Sequence, residues 1–157
     1  MTRLGFLLTA MLGLASNVVA PVPAAAQDTG VTGAAEAAFP NGATFNGISL
    51  KGLTLGQGMF IAPGGSATGQ FQAVLLGTSL LGAAQNITVE GEVSGGSVGA
   101  DGSATFSGTA TVDMGDGTLP LPGVPFTVTA SAGSLGLILN AVALPTATVT
   151  AGSITIK

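Results

Sequence analysis

From Ala43 to the end of the chain, apolar residues recur at every second position, and that period constrains the fold more than any other feature. Successive side chains of an extended strand point to opposite faces, so a period of two separates a buried face from a wet one. The clearest run is Ala104 to Met114. Ala104, Phe106, Gly108, Ala110, Val112 and Met114 fall on one face, with Thr105, Ser107, Thr109, Thr111 and Asp113 on the other. No helical period fits it. Phe126, Val128 and Ala130 alternate with Thr127, Thr129 and Ser131 in the same way, and Val89, Gly91 and Val93 alternate with Thr88, Glu90 and Glu92. Phe71, Ala73 and Leu75 give a further strand, as do Leu135, Leu137 and Leu139.

Two segments change phase, and each change falls at glycine. Ile48 and Leu50 give way to Leu53 and Leu55 across Gly52, and Val149 and Ala151 give way to Ile154 and Ile156 across Gly152. A slip of one residue turns every following side chain to the wrong face, so these glycines are read as bulges that restore the inward face and let the sheet curl. Turn signals stand at Asn41-Gly42, Asn46-Gly47, Pro63-Gly64-Gly65, Gly95-Gly96, Asp101-Gly102 and Asp116-Gly117. Segments 75–85 (LLGTSLLGAAQ) and 119–125 (LPLPGVP) are read as connections, and the three prolines of the second cannot donate ladder hydrogen bonds in a central strand. The pattern predicts an all-β domain of about eight strands, either an antiparallel β-sandwich or a small closed β-barrel, which share the same alternation.

The first residues read as an export signal. MTRLGFLLTAMLGLASNVVAPVPAAAQ has a cation at Arg3, an apolar stretch from Leu4 to Leu14 and small residues at Ala24 and Ala26, which predicts cleavage after Ala26. Pro21, Pro23 and Asn17 make it a poor bilayer span. Residues 27–42 (QDTGVTGAAEAAFPNG) lack sustained periodicity and are expected to form a flexible arm, leaving residues 43–157 as one domain. The chain has no Cys, so no disulfide staples it and no lipid is attached through one. The expected location is secreted, periplasmic or on the outside of the cell envelope.

Charge excludes several partners. Beyond the leader only Lys51 and Lys157 are cationic, against Asp28, Glu36, Glu90, Glu92, Asp101, Asp113 and Asp116. Phosphate backbones and anionic membranes both need clustered Lys and Arg, so neither is an expected partner. A spanning barrel needs aromatic girdles, and the chain has no Trp and no Tyr, so no membrane insertion of the mature domain is expected. Thr, Ser, Gly, Asn and Gln must wet the surface in place of charge. Such a surface repels its own copies weakly, so self-association or binding to other protein subunits is easy.

The reactive inventory is thin. With no His and no Cys, the usual ligands of zinc, copper, haem and iron–sulfur clusters are missing, and no cofactor is expected. Gly95-Gly96-Ser97-Val98-Gly99 has the outline of a hydrolase nucleophile elbow, but no His is present to take the serine proton. Glu90 and Glu92 share one strand face with Cα atoms about 7 Å apart, a spacing two catalytic carboxylates can use, though on one strand they point together into water. Asp113 and Asp116, with carbonyls of the Gly115–Thr118 turn, are the candidate calcium ligands. Asp-Gly is also a favoured turn pair, and turn chemistry is the stronger reading of both aspartates. The expectation is a secreted, non-enzymatic structural or interaction domain, an extracellular assembly subunit or adhesin-like protein. The alternative is a small barrel carrying an apolar small molecule or lipid.

Overall fold

Ten strands form one antiparallel sheet in the computed structural model, which describes residues 27–157; the expected leader over residues 1–26 lies outside the described residues. The strands are β1 (Thr29–Ala38), β2 (Thr44–Phe45), β3 (Ile48–Ile61), β4 (Ser66–Thr78), β5 (Ile87–Val98), β6 (Ala104–Asp113), β7 (Leu121–Ala130), β8 (Ser134–Leu139), β9 (Val142–Ala143) and β10 (Ala147–Ile156). From β3 to β8 each strand pairs with the next in sequence. β1 then pairs with β3 on one edge and β10 on the other, and β10 meets β8, so the sheet returns on itself. The short β2 continues along the β3 edge that β1 leaves, and β9 precedes β10 along β8. The result is all-β and ring-like without being a regular barrel, which agrees with the predicted fold class.

The alternation read from the sequence is the inside–outside division of the ring. Phe71, Ala73, Leu75, Val89, Ala104, Phe106, Ala110, Val112, Phe126, Val128, Ala130, Leu135, Leu137 and Leu139 are all buried in one core. Its centre is aromatic: the Phe71 ring lies 5.6 Å from Phe126 in a stacked arrangement and 5.9 Å from Phe106 at a tilt. Such pairs add about 1 kcal/mol to the area they bury. Gly91 makes room for them, since a Cβ there would lie 2.6 Å from Phe126 Cε1. The wet face carries the hydroxyls, and Thr105 and Thr129, opposite each other on β6 and β7, bring their Oγ1 atoms to 3.2 Å.

The phase changes are bulges. The β3–β4 register shifts between Leu50 and Gly52, leaving Lys51 without an opposite residue, and the β1–β10 register shifts between Glu36 and Ala37. Gly152 beside the second shift takes φ +78, a backbone state that side chains bearing a Cβ rarely adopt. Here one detail differs from expectation. Thr150 is the extra residue, so the phase changes before Ala151, which faces solvent instead of the core.

Two larger expectations are corrected. Residues 27–42 are not a free arm: β1 occupies Thr29–Ala38 and is paired on both edges, with Val31, Ala35, Ala37 and Phe39 buried. Its apolar side chains are mostly alanine and glycine, too small to stand out as a hydrophobic period, yet small enough to lie flat against the bulky residues of β3 and β10. LPLPGVP is likewise not a pure connection, because β7 begins at Leu121. Pro122 and Gly123 sit where the β6–β7 register shifts, so no ladder donor is demanded of Pro122, and Pro125 uses its carbonyl to accept from Asn140 N–H at 2.9 Å.

Candidate functional site

The antiparallel order sends the β2–β3, β4–β5, β6–β7 and β8–β9 connections to one end of the ring and the β3–β4, β5–β6 and β7–β8 connections to the other. The second end is built from Pro63-Gly64-Gly65, Gly99 to Ser103 and Ala132-Gly133, with no large aliphatic residue in its loops. The first end is different. Leu80 is 91% exposed, Leu81 97% and Leu119 92%, and Leu121 and Val142 beside them are also exposed. Two adjoining depressions run across this end. One of about 490 Å³ is lined by Ile48, Leu80, Leu81, Met114 and Asp116 among others, and one of about 110 Å³ by Phe45, Val112, Met114, Leu121, Val124 and Leu139. Asn46 and Met114 border both, so they form one apolar rim.

Asp113 and Asp116 stand in the β6–β7 turn at this same end. Asp113 Oδ1 accepts from Gly115 N–H at 2.9 Å. Asp116 Oδ1 accepts from Thr118 N–H at 2.9 Å and from Thr118 Oγ1 at 2.6 Å. Each carboxylate therefore folds back on its own chain two residues on, which holds the turn shut. The Thr118 hydroxyl, and after it the Thr118 amide, keep the Asp116 carboxyl below the ordinary carboxylate range. Asp101 uses the same device at the opposite end, where the Ser103 hydroxyl and amide lower its pKa. Among the described residues no three carboxylate side chains converge on one point. The carboxylate oxygens of Asp113 and Asp116 are the ones a cation would take from the turn.

Glu90 and Glu92 lie together on the outer face of β5, as expected from their spacing. Gln72 and Thr111 flank Glu90, and Gln70 and Thr109 flank Glu92, across a shallow polar furrow of about 340 Å³. Both carboxylates are exposed and face the same way. The lining holds hydroxyls and amides but neither lysine. Gly95 to Val98 is the end of β5, and Gly99 opens a turn into β6, so Ser97 lies on a strand end with no helix after it. The strand-to-helix turn that exposes a hydrolase serine is not formed.

Two features were not found by sequence reasoning. The exposed leucines lie in segments read as connections; their signal was leucine in loops that have no buried face to fill. The other is Gln57, whose side chain is 8% exposed and whose Nε2 and Oε1 have no hydrogen-bond partner among the described residues. It occupies an inward position on β3 between Gly33 of β1 and Phe71 of β4. Alternation points to that position, though not to the missing partner.

Compared with known proteins, the chain matches no family model, no curated sequence and no solved structure.

Proposed function

We propose that this chain is a secreted, non-enzymatic interaction domain, a subunit that docks to another protein through the apolar rim at one end of the ring. The observation that carries the reading is the asymmetry of the two ends. Leu80, Leu81 and Leu119 stand almost fully in water on loop tips at one end, while the loops of the other end carry only small residues and Pro63, with Phe60 and Val98 exposed on the strands beside them. Exposed apolar clusters of this kind mark contact surfaces, and leucines kept in water without a partner are an aggregation hazard. The scarcity of charge and the lack of His and Cys support a role without acid–base or redox chemistry. The composition of residues 1–26 supports export.

The test is a triple variant, Leu80→Ser, Leu81→Ser and Leu119→Ser, compared with the parent for mass by light scattering and for retention on a hydrophobic matrix. The reading expects a folded variant that elutes earlier from the matrix, whatever its mass. Unchanged retention would withdraw the rim as a docking surface. The mass of the exported chain checks the leader: cleavage after Ala26 leaves Gln27 first.

A second reading, carriage of an apolar small molecule, draws on the smaller depression of the rim. Its volume of about 110 Å³ falls below the several hundred Å³ usual for small-molecule sites, and Phe71, Phe106 and Phe126 fill the centre of the ring. Native mass spectrometry against a panel of fatty acids and sterols tests it; a retained ligand would revive it.

A further inference from the structure

The last strand has one paired edge and one open edge. β10 pairs with β1 from Thr148 to Ile156 except at the bulged Thr150, but with β8 only at Ala147 and Thr148, after which Val149 N–H reaches Gly133 O at 3.0 Å. Among the described residues nothing pairs the far edge from Thr150 onward. Which groups face outward follows from the ladder. Lys157 and Gly30 exchange both backbone hydrogen bonds, at 2.6 and 2.9 Å. In an antiparallel pair such residues alternate with residues whose N–H and C=O point the other way. Ile156 and Ile154 therefore direct their backbone groups to the open edge.

Open edges are normally protected by shortness, proline, charge or a bulge, and the one bulge of β10, at Thr150, lies ahead of Ser153 to Ile156. β2 and β9 are 2 residues long each. β10 has 10 residues, ATVTAGSITI, with no charged side chain and no proline. Its neighbours supply charge of a particular kind. Glu36 of β1 sits opposite Ala151, and Glu36, Ala151 and Lys157 all face solvent on the outer side of the sheet.

We propose that β10 pairs antiparallel with β10 of a second copy of this chain across a two-fold axis at Ile154, joining two rings into one continuous sheet. That register sets Ile154 against itself, so its outward backbone groups meet those of its counterpart, and it sets Ile156 against the second copy's Gly152. It also sets Lys157 beside the second copy's Ala151, with the second copy's Glu36 one strand further, about 10 Å away at the backbone. The alanine methyl leaves the space above it open, and an extended lysine and glutamate span that distance. Two-fold symmetry makes the pair twice. Within one copy Glu36 and Lys157 are far apart along the ladder, since Lys157 sits opposite Gly30. The inference goes beyond the rim reading, because the leucine loops take no part in it.

The experiment uses Glu36→Lys and Lys157→Glu, alone and mixed, on the purified protein. Light scattering over a concentration series is expected to show a dimer for the parent and a dissociation constant raised roughly tenfold in each single variant, where like charges meet. An equimolar mixture of the two variants is expected to recover the parent affinity, because only the mixed dimer restores both opposite-charge pairs. Hydrogen exchange on the parent is expected to show the Ile154 and Ile156 amides slowing as concentration rises. A parent that stays monomeric at every concentration overturns the proposal. So does a dimer whose Ile154 and Ile156 amides exchange at a rate independent of concentration, or one that the mixture fails to rescue. A dimer dissolved by the leucine-rim variant and untouched by charge reversal overturns it too, and leaves the rim reading standing.

Discussion

The wall from β3 to β7 and the seam from β8 through β10 to β1 are parts of one sheet built to different standards. In the wall, strands of 10 to 14 residues pair over most of their length and carry the three central phenylalanines. In the seam, β8 has 6 residues, its junction with β10 rests on Ala147–Leu135 and Thr148–Ser134, and the inward residues of β1 after Val31 are glycine and alanine. The difference teaches where the cost of closing a ring falls. Hairpin neighbours pair locally with short loops, whereas the ring closes only where strands from the two ends of the chain meet, and its thinnest junction, β8 with β10, holds two residue pairs.

Substitutions can break or sharpen this contrast. Phe71→Ala in the wall is expected to cost about 4 kcal/mol by urea unfolding, because it removes the ring that both other aromatics touch. Val149→Ala in the seam, where the side chain is half-buried, is expected to cost roughly 1 kcal/mol. Equal losses would erase the distinction. Gly91→Ala falls between them, expected to cost about 2 kcal/mol, since the new methyl group overlaps the Phe126 ring. Gln57 lies where wall meets seam, and replacing an unpartnered buried amide with Gln57→Leu is expected to raise stability by about 1 kcal/mol. A loss of stability there would point to an internal partner for the amide.

The smallest effects belong to the end turns. The folded pKa of Asp116 lies below its unfolded value, so its contribution is present above the unfolded pKa and is lost as pH falls through the lowered folded pKa. Asp116→Asn should therefore lower the melting temperature slightly near neutral pH, with the gap closing as acid protonates the Asp116 carboxyl. Calcium separates turn from cation site. No change in the midpoint at millimolar calcium is the expected result, and a rise abolished by Asp113→Asn would restore calcium as a ligand.

Much of the wall was legible because its inward residues are large. Phe106, Val112, Phe126 and Val128 alternate with threonines, and any strand that buries one face must show that contrast. β1 was not legible, since Ala35 and Ala37 differ too little from their neighbours to mark a face. The start of β7 was hidden by prolines that a register shift accommodates. The aspartate turn was readable from Asp-Gly alone, because the side chain closes on its own backbone. The leucine rim was not, because four separate loops compose it.

The sequence by itself determined the period, the inward face of nearly every long strand, the existence of the two phase changes beside Gly52 and Gly152 and the lack of His and Cys. These are local properties, set by backbone geometry and the difference between apolar and hydroxyl side chains. Only the tertiary structure decided that β1 closes the ring, that Leu80, Leu81 and Leu119 share one end, that Gln57 has no partner and that β10 keeps an open edge. Each of those depends on which distant segments meet, and alternation is silent about that, because every paired strand shows the same period whatever its neighbour.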